Sequence, residues 1–287
     1  MRAYRADRPV PLVLGAVRFD LAQRALVMGI LNRTPDSFYA PAATFSLDDL
    51  YRRADRLVAE GADLLDVGGV KAGPGDEVTE TEELERVTPV VAELRRRFDV
   101  PLSVDTWRAS VAAACFAVGA SLGNDISGFA DENYLTVAAR AGASVVATHI
   151  RLRPRVADPT PHYDDVVATV RDYLVERWSW ASAAGLGEGR VVLDAGLDLG
   201  KTPAHSLELL RSTDALARLG APVLLSASNK TFLGAHLGLE LENDARRDAS
   251  NAAAAVGITL GARVVRAHDV AGTVRVRDTL ARIVEAA

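Results

Sequence analysis

A chain of 287 residues with 49% hydrophobic and 25% charged side chains has the composition of an ordinary soluble globular protein, large enough for one big domain or two small ones. Its 33 Lys and Arg against 38 Asp and Glu leave a formal net charge of -5, which argues against a general nucleic-acid or anionic-membrane surface. The single cysteine, Cys115, excludes a disulfide framework or a cysteine-based metal site within one chain, and its apolar setting in SVAAACFAVGA marks it as a small core residue.

In chain order, MRAYRADRPVPLVLG carries charges throughout and no long apolar run, and no later stretch is long enough to span a bilayer, so the expectation is a cytoplasmic protein. Short apolar runs then recur at 25–31, 63–69, 100–105, 120–125, 143–149, 191–196, 222–228 and 263–268. Between them lie longer amphipathic segments such as 46–62, 80–98 and 163–185, with Ser46 and Thr79 placed as N-caps and Gly as a recurrent stop. Short strands alternating with longer helices predict parallel βαβ units, and eight of them predict a closed (β/α)8 TIM barrel, with an open doubly wound sheet as the alternative. Residues 1–24 would form a small cap on the lower face, and 1–287 a single domain. The Arg- and Pro-rich stretch RLRPRVADPTPHY (151–163) reads as a long strand-to-helix loop.

In such barrels the functional groups sit at the C-terminal ends of the strands. Those ends carry Asn32, Thr34 and Asp36; Asp66 and Lys71; Asp105; Asn124 and Asp125; Thr148 and His149; Asp194 and Asp198; Ser228, Asn229 and Lys230; Arg266 and His268. Each one alone reads equally well as a turn or cap residue; eight strand ends together predict a polar pocket. Lys230, Arg266 and His268 gather at strands seven and eight, where a helix starting near Asp269 adds its positive end, so an anion such as a diphosphate belongs there. Arg266 offers a bidentate fork, and Asp105, Asp194 and Asn124 suit a flat heterocycle rich in N–H donors. No His-Glu or His-His spacing points to a tightly held transition metal.

The blocks ALVMGILNRTPDSF, GADLLDVGGVKAGPG, VPLSVDT, GASLGNDISG, VVLDAGLDLGKTPAHSLELL, SNKTFLG and GARVVRAHDV occur in this order, and together they resemble the dihydropteroate synthase family over roughly residues 24–287. The resemblance implies a (β/α)8 barrel, usually a homodimer, that joins a dihydropterin methyl diphosphate to 4-aminobenzoate with Mg2+ and release of pyrophosphate. It assigns pterin contacts to Asp105, Asn124, Asp194 and Lys230, and diphosphate and Mg2+ contacts to Asn32, Arg266 and His268. Asn32 would be the Mg2+ ligand, and Asn32, Lys230, Arg266 and His268 the catalytic set.

The departures fall on the second-substrate side. Where the family usually reads GGESTRPG, this chain has Val70, Lys71, Ala72 and Gly73 in place of Glu, Ser, Thr and Arg. Arg33 replaces a Val and YAPA (39–42) replaces SDGG, which predicts a stiffer first loop. Asp198 stands for a Gly, Leu199 for a Phe and Asn229 for an Arg. NRTPDSFY, DVGGVKAGPG and SNK are similar to a divergent second paralogue of actinobacteria that lacks ordinary synthase activity. Three readings follow: a synthase-type transferase with an altered arylamine acceptor site, a catalytically silent ligand- or partner-binding homologue, and a pterin-binding methyltransferase. The diphosphate-directed residues weigh against the third.

Overall fold

A computed structural model describes residues 10–22, 24–33, 46–235 and 243–285. A two-stranded antiparallel hairpin, β1 (Pro11–Leu14) and β2 (Val17–Asp20), comes first. Eight parallel strands follow: β3 (Leu26–Asn32), β4 (Leu64–Gly68), β5 (Leu102–Asp105), β6 (Leu122–Asp125), β7 (Ser144–Thr148), β8 (Val191–Asp194), β9 (Val223–Leu225) and β10 (Val264–Ala267). They close into a barrel because β10 pairs with both β9 and β3. The open-sheet alternative is thereby excluded, and the (β/α)8 expectation holds.

The helices are α1 (Leu47–Ala59), α2 (Glu80–Arg97), α3 (Ala109–Ala117), α4 (Tyr134–Ala141), α5 (Val166–Ala183), α6 (Pro203–Arg211), α7 (Thr213–Ala217), α8 (Phe232–Ala235), α9 (Asn243–Thr259) and α10 (Val270–Glu285). Both expected N-caps are made: the Ser46 hydroxyl accepts from the Asp49 N–H and the Thr79 hydroxyl from the Glu82 N–H, each at 3.2 Å. The segment from Pro203 to Ala217, which reads as one helix, is broken at Ser212 into α6 and α7. Among the described residues no helix is long and apolar enough to cross a membrane.

Strand alternation separates two environments. One face of each strand packs outward under the helices, where Val27, Leu65, Val104, Val145, Leu193 and Val223 join one large apolar cluster. The other face fills the barrel, whose lower layer is Met28, Leu64, Leu122, Val146, Val192, Leu224 and Val264. Each such side chain, fully buried, contributes about 1.5–3 kcal/mol. Leu12, Leu14 and Leu21 pack against this layer from the hairpin, closing the barrel floor. The hairpin is fastened there by the Val13 N–H on the Gly189 carbonyl at 2.8 Å and by the Ser144 hydroxyl on the Val13 carbonyl. Residues 1–9 of the expected cap lie outside the described residues. Cys115, on the inner face of α3, is fully buried, and burial pushes its thiol up to about 12, as its apolar setting predicts.

Because side chains alternate with a period of two, the residue two places beyond each lower-layer apolar group faces the same way, one storey higher. Asp66 stands above Leu64, Asn124 above Leu122, Asp194 above Val192 and Arg266 above Val264. The fold therefore turns an apolar floor into a polar upper storey within a single step along the strands.

Candidate active site

Arg266 reaches across the barrel mouth from β10 to β4 and β5. Its Nε donates to Asp66 Oδ2 at 2.6 Å and its Nη2 to Asp105 Oδ2 at 2.8 Å. Asp66 is completely buried and is also the acceptor for the Ser103 hydroxyl at 2.6 Å and for the Asn124 amide at 3.2 Å. Burial pushes the Asp105 carboxyl up to about 7, against the downward pull of Arg266. The sequence places cations at strands seven and eight and acceptors elsewhere; the structure joins the two sets, since an arginine side chain is long enough to bridge the mouth. Asp66 is the centre of this network, and as one acidic residue at a strand end among several it carries no sequence signal of that role.

Asp194 closes the neighbouring part of the mouth. Its Oδ1 accepts the Gly196 N–H at 2.8 Å, so one oxygen shapes its own turn. That turn requires glycine: Gly196 has φ +63, and a Cβ there would lie 1.9 Å from the His149 carbonyl oxygen. Burial raises the Asp194 carboxyl and lowers the Lys230 ammonium. Lys230 Nζ donates to the Leu197 carbonyl at 2.9 Å, which brings it into the loop after β8. In the same storey the buried Thr148 hydroxyl has no hydrogen-bond partner among the described residues.

Two sequence candidates face elsewhere. The Asp125 carboxylate accepts the Ser127 and Phe129 N–H groups at 2.6 and 2.9 Å, so it builds the turn after β6. His149 is bound to Lys201, whose Nζ lies 2.9 Å from His149 Nδ1 and donates to the Gly196 and Leu199 carbonyls at 2.8 and 3.0 Å. Burial pushes Lys201 down to about 7 and His149 down to about 3. Lys201 thus holds the loop after β8 from beneath, a role its position in LDLGK does not announce.

Asn32, Arg266 and His268 line one cavity of about 420 Å3 beside β9, β10 and β3, together with Arg53, Asn229 and Arg247. The Ser228 hydroxyl accepts the His268 backbone N–H at 3.0 Å and sits 3.0 Å from His268 Nδ1. Where the Ser228 hydroxyl gives its proton to Nδ1, the ring carries its own proton on Nε2 and donates from there. Burial and then Arg266 push the imidazole down to about 3. The end of α10 contributes less than expected, because the Asp269 carboxylate already accepts the Gly272 N–H at 2.9 Å. Arg53 and Arg247, on helices, were not foreseen from the strand ends.

The departures from the family pattern have structural partners. Asp198 adopts φ +67, a conformation that glycine takes without cost. Its Oδ2 accepts both the N–H and the hydroxyl of Thr231, at 3.0 and 3.1 Å, tying the loop after β8 to the loop after β9. Arg33 Nη1 donates to the Glu85 carbonyl at 3.1 Å and to the Arg86 carbonyl at 2.5 Å. Pro89 lies four residues beyond Glu85 inside α2 and has no N–H to offer, so Arg33 supplies the donor that this carbonyl lacks. Lys71 is exposed on the loop after β4. Thr34 and Asp36, with the expected stiffening at 39–42, lie outside the described residues.

A closed parallel barrel with an apolar floor and an acid, amide and guanidinium mouth has the form of a pterin binding enzyme, and the family model of that description matches residues 28–268. "Inactive dihydropteroate synthase 2" of Mycobacterium leprae is 44% identical over 272 residues, covering 91% of both chains. The crystal structure of Yersinia pestis dihydropteroate synthase with a sulfonamide drug superposes with a TM-score of 0.90 at 36% identity, covering 97% of this chain and 100% of that one. Xanthomonas albilineans dihydropteroate synthase with 4-aminobenzoic acid gives 0.88 at 38% identity, covering 98% and 100%. This chain belongs to the dihydropteroate synthase family.

Proposed function

We propose that this protein binds a dihydropterin methyl diphosphate at the barrel mouth and is a transferase of the dihydropteroate synthase type with an altered site for its arylamine acceptor. The observation that carries the reading is the single cavity that gathers Asn32, Arg266 and His268, with Arg53 and Arg247, next to the half-buried Asp105 and the buried Asp66, Asn124 and Asp194. Acceptors in the barrel's upper storey suit the N–H edge of a pterin, and the three arginines of the cavity, which Glu60 and Asp269 also line, suit the diphosphate. His268, neutral, offers a hydrogen bond to a leaving oxygen in the tautomer that carries its proton on Nε2.

In this reaction the carbon–oxygen bond to the diphosphate breaks, the arylamine nitrogen forms a bond to the same methylene carbon, and the amine proton passes to solvent. The protein's task is to stabilise the departing anion and to hold the pterin still, which requires placed donors more than a strong base. Mg2+ would neutralise diphosphate charge. Asn32, at the end of β3, would be its protein ligand. A homodimer is part of the proposal.

A second reading, a silent pterin-binding homologue, is favoured by the name of the mycobacterial relative and by Val70, Lys71, Ala72 and Gly73 in the loop after β4. A turnover assay separates the two. With dihydropterin methyl diphosphate, 4-aminobenzoate and Mg2+, release of pyrophosphate that His268→Ala abolishes supports the transferase. Pterin binding without pyrophosphate release supports the silent homologue, and neither binding nor release contradicts both.

A further inference from the structure

The Arg- and Pro-rich stretch 151–163 belongs to the loop after β7. One of its residues takes hold of the loop after β4. Arg155 adopts φ +67, which side-chain-bearing residues keep only where the surroundings fix it. Its backbone N–H donates to the Ala72 carbonyl at 3.0 Å, its Nη1 to the Lys71 carbonyl at 3.1 Å and its Nη2 to the Asp76 carbonyl. Gly75 leaves room for this fork, since a Cβ there would stand 3.1 Å from Nη2.

The loop that receives these bonds, residues 69–79, forms no helix or strand, so its backbone needs partners from outside. Its two ends are held by arginines from its own side of the barrel: Arg86 on the Gly69 carbonyl at 2.9 Å and Arg108 on the Val78 carbonyl at 2.6 Å. Arg155 holds the apex from another loop. That other loop is itself anchored, by the Arg151–Asp158 ion pair at 2.7 Å and by the Tyr163 hydroxyl on the Gly200 carbonyl at 2.8 Å.

We infer that Arg155 is the positioning residue of the loop after β4: it latches the apex of that loop to the loop after β7. The latch thereby sets one wall of the cavity of about 150 Å3 that Ala72, Gly73 and Pro74 share with Leu152, Val156 and Leu199. A guanidinium is required, because only a planar fork serves the carbonyls of residues 71 and 76 together while the main chain serves residue 72. The inference rests on these contacts alone and does not depend on the pterin reading.

The chain contains three lysines, Lys71, Lys201 and Lys230, and Lys71 is exposed at the latched apex whereas Lys201 is only 7% exposed. A lysine-specific endoprotease acting on the full chain therefore reports the latch as the rate of appearance of fragments 1–71 and 72–287. Arg155→Gln, which keeps an amide but loses the fork, should raise that rate about tenfold, as expected for two lost hydrogen bonds at a locally opening segment. Gly75→Val, which pushes a side chain against Nη2, should raise it in the same direction. Cleavage after Lys201 and Lys230 should stay at the unmutated rate, whereas a general loss of stability would raise all three. Hydrogen exchange of the Arg155 amide in the unmutated chain should be protected by its bond to Ala72. Equal cleavage at Lys71 in all three proteins, a parallel rise at all three lysines in both variants, or an Arg155 amide exchanging like an unbonded loop amide would overturn the inference.

Discussion

Replacing Arg266 by Met keeps a long side chain in the mouth and deletes the charge that Asp66 and Asp105 face at 2.6 and 2.8 Å. The Arg266 side chain is 14% exposed and that of Asp66 0%, so water cannot take over the guanidinium's role at Asp66. Removing one partner from a buried ion pair costs about 3–5 kcal/mol, because the other charge is left without compensation. For a chain of this size that corresponds to a fall in Tm of about 10 °C. The loss should depend on pH in a defined sense. The folded value of Asp105, about 7, lies above its ordinary 3.8, so its ionisation opposes folding as pH rises through that window. Without Arg266 the folded value rises further, so the penalty grows toward pH 8 and shrinks toward pH 5, where Asp105 keeps its proton with or without the guanidinium. Urea unfolding of both proteins at pH 5 and pH 8 reads this directly. A loss under about 1 kcal/mol at pH 8 would refute the ion-pair account, and one of equal size at both pH values would refute the part assigned to Asp105.

Two further outcomes are expected. His268, held near 3 by burial and by Arg266, should show no protonation by nitrogen-detected NMR between pH 5 and 8, and the Nε2–H tautomer should dominate; a midpoint near 6.5 would place the ring in water. Arg33→Ala should cost about 1 kcal/mol, because the Glu85 carbonyl then lacks a donor, and clearly less in a Pro89→Ala background, where residue 89 regains an N–H. Additive losses in the double mutant would show that Arg33 does not act through the proline gap.

The barrel was legible because buried parallel strands read as short apolar runs and amphipathic helices separate them. The strand-end rule also located the mouth: Asp105, Asn124, Asp194 and Arg266 all share the barrel's upper storey. Their partners were not legible. Arg266 and Asp66 are 200 residues apart, and only closure of the barrel brings them together. Asp125 and Asp269 look like Asp105 in sequence, yet their carboxylates serve the N–H groups of their own turns. Arg53 and Arg247 read as solvated helix residues until the packing of α1 and α9 beside β10 turns them into one cavity. The break at Ser212 was hidden because both halves continue a helical pattern.

The central claim is that the upper storey of this barrel binds a pterin. Calorimetric titration of the unmutated protein with a 7,8-dihydropterin tests it most directly, alongside Asp194→Asn, which keeps the size of the side chain and removes its charge. Saturable one-to-one binding that weakens by roughly 10–100-fold in the variant, the effect expected when one charge-assisted hydrogen bond is lost, is the predicted result. Absence of binding by the unmutated protein, or equal binding by both, would contradict the account.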